Sequence, residues 1–103
     1  MFKQWIILGM FSLAMMAGTA WAGGDAAAGE AKAANCAGCH GAAGEGMGDT
    51  PRLAGLDQKA HIAMLKEYKE GARGEGMMQM FAAQLSEEDM CDIAAYYAGL
   101  GGE

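Results

Sequence analysis

Five consecutive residues, Cys36-Ala37-Gly38-Cys39-His40, hold the densest chemistry in the chain. Two thiols separated by two residues, with a histidine directly after, match the C-x-x-C-H pattern of a c-type haem attachment site. On one helical turn the thiols can bond the vinyl groups of one porphyrin. The histidine then lies under the iron and offers a neutral imidazole nitrogen as ligand. Other chemistries use the same residues. A C-x-x-C pair serves thioredoxin-type redox exchange, but in a βαβ setting. It forms half of a zinc site, for which His61 and Cys91 are the remaining partners at no matched spacing. It also closes as a simple disulfide.

An iron that shuttles electrons takes two protein ligands, which leaves no open position for a substrate. Methionine as the second ligand raises the reduction potential relative to two histidines. The run Gly76-Met77-Met78-Gln79-Met80 supplies the candidates. Met64 and Met90 fall on helical stripes and read as core, while Met47 sits in a glycine loop as an outlying candidate. His61 is the only other histidine. It shares a helix with Lys59, Lys66 and Lys69, so it reads as solvated.

The elements that must position these groups come from a chain of 103 residues, room for one compact domain. Met1 to Gln4 carries Lys3, Trp5 to Ala17 is an apolar run, and Ala20-Trp21-Ala22 puts small residues at alternate positions. Residues 1–22 are expected to be a signal peptide cleaved before Gly23. The apolar run is short for a hydrocarbon core of about 30 Å. Export suits the motif, because haem of this kind is attached outside the cytoplasm. Residues 23–103 then form the domain. They contain no Val and few other β-branched residues (Ile62, Ile93, Thr50), so strands have little to draw on. Ala, Glu, Lys, Met and Leu favour helix instead, and the fold is expected to be all-α.

So small a core needs a staple, and a buried covalent haem would fill it. The formal charge is −6 and becomes more negative once Lys3 is removed. No basic run is present, which excludes nucleic acid and favours partners with a positive docking patch.

Asp25 to Asn35 reads as a first helix leading into the cysteines. Gly41 to Gly55, with Pro51, is a loop. Asp57 to Glu70 is a second helix, N-capped by Asp57 and ended by Gly71. Gly71 to Leu85 reads as a long Met-rich loop. Ser86 caps the last helix, with Glu87, Glu88 and Asp89 at the positive end of its dipole. Met90, Ile93, Ala94 and Tyr97 form its inward stripe, and Gly99, Gly101 and Gly102 stop it.

Gly29, Ala31-Lys32-Ala33, CAGCHG, Pro51-Arg52-Leu53-Ala54-Gly55, Lys69-Glu70-Gly71-Ala72-Arg73, Met78 and LSEEDMCDIAAYYAGL together resemble one domain of the class I bacterial cytochromes c. The chain is most similar to the small single-haem forms and to one half of the two-haem forms, across essentially all of residues 23–103. The resemblance implies three main helices with long loops wrapped around one covalent haem c. Cys36 and Cys39 would hold that haem, and His40 would be its first axial ligand. In relatives the axial Met stands eight residues before the Ser that opens the last helix, which gives Met78, with Met77 and Met80 as alternatives. The Pro51 carbonyl would accept the His40 N–H and fix the ring. Gly29 would pack near Tyr96 or Tyr97, where the first and last helices cross.

The implied function is periplasmic electron transfer, without catalysis. Donor and acceptor would be redox proteins with basic or apolar docking patches, with no nucleic acid and no stable membrane insertion after cleavage. The alternative is a haem c subunit of a periplasmic dehydrogenase or oxidase. Cys91 departs from the family, whose members have a plain apolar or small residue there. It reads as a small core side chain, the alternative being an exposed thiol that pairs two molecules.

Overall fold

The computed structural model describes residues 23–74 and 76–100; the expected leader, residues 1–22, and Gly101 and Gly102 lie outside them. Among the described residues five helices follow in order: α1 (Ala26–Lys32), α2 (Ala34–His40), α3 (Gln58–Glu70), α4 (Met77–Ala83) and α5 (Glu87–Leu100). Among the described residues there is no strand, only an isolated bridge between Met47 and Thr50. None of the described helices is long and apolar enough to cross a membrane.

The expected first helix is two. Asp25 caps α1 by accepting from the Ala27 and Ala28 N–H groups, and the axis turns at Ala33, where ψ is −2°. Neither Pro nor Gly marks that turn, so nothing local announced it. Ala33 is buried with Ile93 and Tyr97 at the centre of the core. A second correction concerns residues 71–85, expected as loop, of which Met77–Ala83 is helix α4. Gly76 before it makes no side-chain cap, which is why the start was invisible.

The other two helices begin and end largely as their caps dictate. Asp57 accepts from the Ala60 N–H, and Gly71 closes α3 in the left-handed region at φ 82°. Ser86 Oγ accepts from the Asp89 N–H at 3.0 Å while Asp89 Oδ2 accepts from the Ser86 N–H at 2.9 Å, a reciprocal cap. The inward stripe of α5 holds without exception: Met90, Ile93, Ala94 and Tyr97 are all buried. Gly99 does not stop α5, which runs on to Leu100.

The long-range frame is the crossing of α1 and α5. A Cβ on Gly29 would collide with the Asp92 carbonyl oxygen and come within 3.0 Å of the Tyr96 Cβ. Glycine there lets two backbones touch, with Tyr96 rather than Tyr97 against it. Lys32 bridges the same crossing, 2.6 Å from Asp92 Oδ2 and 2.9 Å from Asp89 Oδ1.

Candidate functional site

Helix α2 puts Cys36, Cys39 and His40 at i, i+3 and i+4, which share one helical face. Gly41 ends the helix at φ 100°, a conformation side chains rarely adopt, and turns the chain back under it. The following loop is closed by its own bonds. Gly46 N–H donates to the His40 carbonyl at 2.7 Å, and Leu53 and Ala54 N–H both donate to the Gly44 carbonyl. This curl carries the Pro51 carbonyl to His40 Nδ1 at 2.7 Å. Nδ1 therefore holds the proton, and Nε2 is left as the free donor nitrogen. His40 itself is buried.

These groups stand on the wall of a cavity of about 690 Å³. Helix α3 gives it His61, Met64, Leu65 and Tyr68, which fall at i, i+3, i+4 and i+7. Helix α4 contributes Met78, Phe81 and Ala82, with Leu85 just beyond; they too fall at i, i+3, i+4 and i+7. That spacing could have disclosed α4, had the glycines before it not read as loop.

The three candidate methionines separate by position. Met78 lines the cavity and is half-buried. Met77 reaches the wall but is 59% exposed, and Met80 is 63% exposed and off it. Met47, also exposed, is off the wall, and Met90 is core, as expected.

His61 overturns the expectation of a solvated side chain: it is 3% exposed and lines the cavity. The lysines of α3 misled because they sit on its other faces. Burial, with His40 nearby as a lesser cause, pushes the His61 pKa down to about 4. Burial likewise raises the Cys36 thiol and holds the Tyr97 phenol far above its usual range.

The competing chemistries lose their geometry. Among the described residues no group of three or more His, Cys, Asp or Glu side chains is placed to hold a metal ion, so Cys36, Cys39, His61 and Cys91 do not assemble a zinc site. No strand is present among them for a βαβ unit. The donor set fits a haem instead: paired thiols and a propped imidazole on one face, a thioether on the wall, and a mostly apolar cavity.

Residues 26–100 match the family model for cytochrome c. The chain belongs to the cytochrome c family. This cytochrome c is 43% identical to cytochrome c4 of Pseudomonas aeruginosa over 84 residues, which is 81% of the chain but 42% of that protein. It is 43% identical to cytochrome c-554(548) of Halomonas halodenitrificans, over 73% of the chain and 95% of the relative. Among solved structures, cytochrome c4 of Acidithiobacillus ferrooxidans superposes with a TM-score of 0.70 at 32% identity, over 79% of this chain and 51% of that one. The chain thus spans about half the length of the cytochromes c4 it matches and nearly all of cytochrome c-554(548). Its fold is the class I cytochrome c fold, and like its family it carries covalent haem c.

Proposed function

We propose that this cytochrome c is an exported, periplasmic carrier of single electrons, with Cys36 and Cys39 as the covalent anchors and His40 and Met78 as the axial ligands. Bound there, haem c supplies a one-electron Fe(II)/Fe(III) couple. Cys36 and Cys39 hold the porphyrin edge to α2, so the cofactor survives exchange between partners. Pro51 fixes the His40 ring through its carbonyl and makes the imidazole a stronger donor. Met78, from α4 on the cavity wall, closes the second axial position and leaves none for a substrate, which makes the protein a carrier and not an enzyme. The single observation that carries this proposal is the convergence of Cys36, Cys39, His40 and Met78 on one cavity.

Docking falls to the cavity rim, where Met77 and nearby Met80 stand exposed. The excess of acidic side chains steers partners with a positive or apolar patch toward it.

The test is the visible spectrum of the chain matured with haem-attachment machinery, with and without Met78→Ala. A covalent haem with a far-red thioether–iron band that vanishes in the variant is the expected result. A band that survives moves the ligand to Met77 or Met80. Absence of covalent haem in the unaltered chain would sink the proposal.

A further inference from the structure

Tyr97 is 1% exposed, and the turn at Gly44, in the loop after α2, closes directly onto its ring. A Cβ on Gly44 would stand 2.6 Å from Tyr97 Cε1 and 2.7 Å from Cδ1. Gly44 is itself buried and takes φ 71°, so no other residue fits between the turn and the ring. The ring cannot step aside. The His61 ring stands 5.8 Å from it and the Tyr96 ring 5.0 Å, centroid to centroid, while Ala33, Cys36 and Ile93 share its cluster. Its backbone is held as well, the Tyr97 carbonyl accepting from the Gly55 N–H at 2.8 Å.

From that contact a short series of bonds runs to His40. Gly44 N–H donates to the Gly41 carbonyl at 2.9 Å, and the Gly44 carbonyl accepts from Leu53 at 2.8 Å and Ala54 at 2.9 Å. Two residues before Leu53 stands Pro51, whose carbonyl accepts the His40 N–H at 2.7 Å. The Pro51 carbonyl therefore follows Gly44, and Gly44 stands where the Tyr97 ring stops it. Resting on the axial role of His40 proposed above, we propose that Tyr97 is a positioning residue for the haem ligand. Through Gly44 it fixes the Pro51–His40 hydrogen bond and so holds down the reduction potential. A firm bond from His40 to a carbonyl makes the imidazole more basic, which favours Fe(III). A loop pushed off the ring loosens that bond and favours Fe(II).

The experiment uses the full haem-loaded chain. Midpoint potentials come from spectroelectrochemistry, and exchange of the His40 Nδ1 proton with solvent is read by NMR in the reduced, diamagnetic state. Gly44→Ala tests the contact. Gly48→Ala is the control, at a glycine of the same loop with φ 59° and nothing within 4 Å of its missing Cβ. Both variants carry the backbone cost of a side chain at positive φ, but only Gly44→Ala meets the ring. The expected outcome in Gly44→Ala is an equilibrium about threefold more favourable to Fe(II), or about 28 mV for one electron. Faster exchange of the His40 proton should accompany it, and Gly48→Ala should show neither change. In a Tyr97→Leu background, which opens the space, adding Gly44→Ala should shift the potential by less than about half as much. An unchanged potential and exchange rate in Gly44→Ala, equal shifts in the two glycine variants, or the same shift with and without the tyrosine each overturns the proposal. If Gly44→Ala does not accumulate as folded protein, Tyr97→Leu alone decides. Faster exchange with a higher potential supports the proposal, and any other result overturns it. Failure of the attachment itself is read separately and first, as a missing haemochrome spectrum in the unaltered chain, and the positioning role falls with it.

Discussion

Asp92 shows how one buried carboxylate ties two ends of the chain. It is 2% exposed, accepts from Lys32 Nζ at 2.6 Å, and accepts from the Asp25 backbone N–H at 2.8 Å. Lys32 foremost, with the Asp25 N–H helping, holds its carboxyl below the usual range against the opposing effect of burial. A depressed native pKa stabilises the fold above the unfolded value of about 3.9, and that contribution is lost as pH falls through the native one. Asp92→Asn is therefore expected to cost about 1–3 kcal/mol at neutral pH, as for a charge-assisted bond removed from a buried site. In urea unfolding series the gap to the unaltered protein should narrow progressively below about pH 4. A constant gap down to pH 2 would count against the ion pair as its source.

At the scale of elements, backbone contact and intrinsic helix propensity pull in opposite directions, and position decides which wins. Replacing a helical glycine by alanine gains about 0.5–1 kcal/mol in an open site. Gly99, with nothing within 4 Å of its missing Cβ, should show that gain as a higher midpoint in thermal unfolding of Gly99→Ala. Gly29 faces the Asp92 carbonyl across the α1–α5 crossing, and backbone cannot step aside as a side-chain tip would. Overpacking of this kind costs about 1–3 kcal/mol, so Gly29→Ala should lower the midpoint despite its better propensity. Equal shifts in both variants would mean the crossing is not the tight joint described here.

The elements were unequally legible. Helices α3 and α5 announced themselves through Asp57, Gly71, Ser86 and a continuous stripe, because caps and period are local properties. Helix α4 lacks a cap, follows a glycine-rich stretch and is one face of a cavity rather than of a protein core.

For the whole molecule, the cavity dominates. Its wall is mostly apolar, and without a bound group that surface would face water rather than a packed partner. The fully buried apolar side chains are few, with Tyr97, Met90 and Ile93 the largest. A Cys36→Ala/Cys39→Ala chain lacking haem is thus expected to lose its cooperative thermal transition and its near-ultraviolet circular dichroism. A sharp transition close to that of the haem-loaded protein would show that the helices pack without the cofactor.

The chain by itself determined the attachment motif, the all-α character and the inward face of α5, because each follows from residue type and spacing within a few positions. The same local order, read through family resemblance, singled out Met78 and the Pro51 carbonyl. Only the tertiary structure decided that Met78 and not Met80 lies on the cavity wall, and that α4 exists to place it there. It alone decided that His61 is buried, since His61 shares an apolar stripe with Met64, Leu65 and Tyr68 but is itself polar and has lysines on the neighbouring faces, so burial turns on which helices cover that stripe. Burial and the convergence of α2, α3 and α4 are properties of the whole packing, and no single segment encodes them.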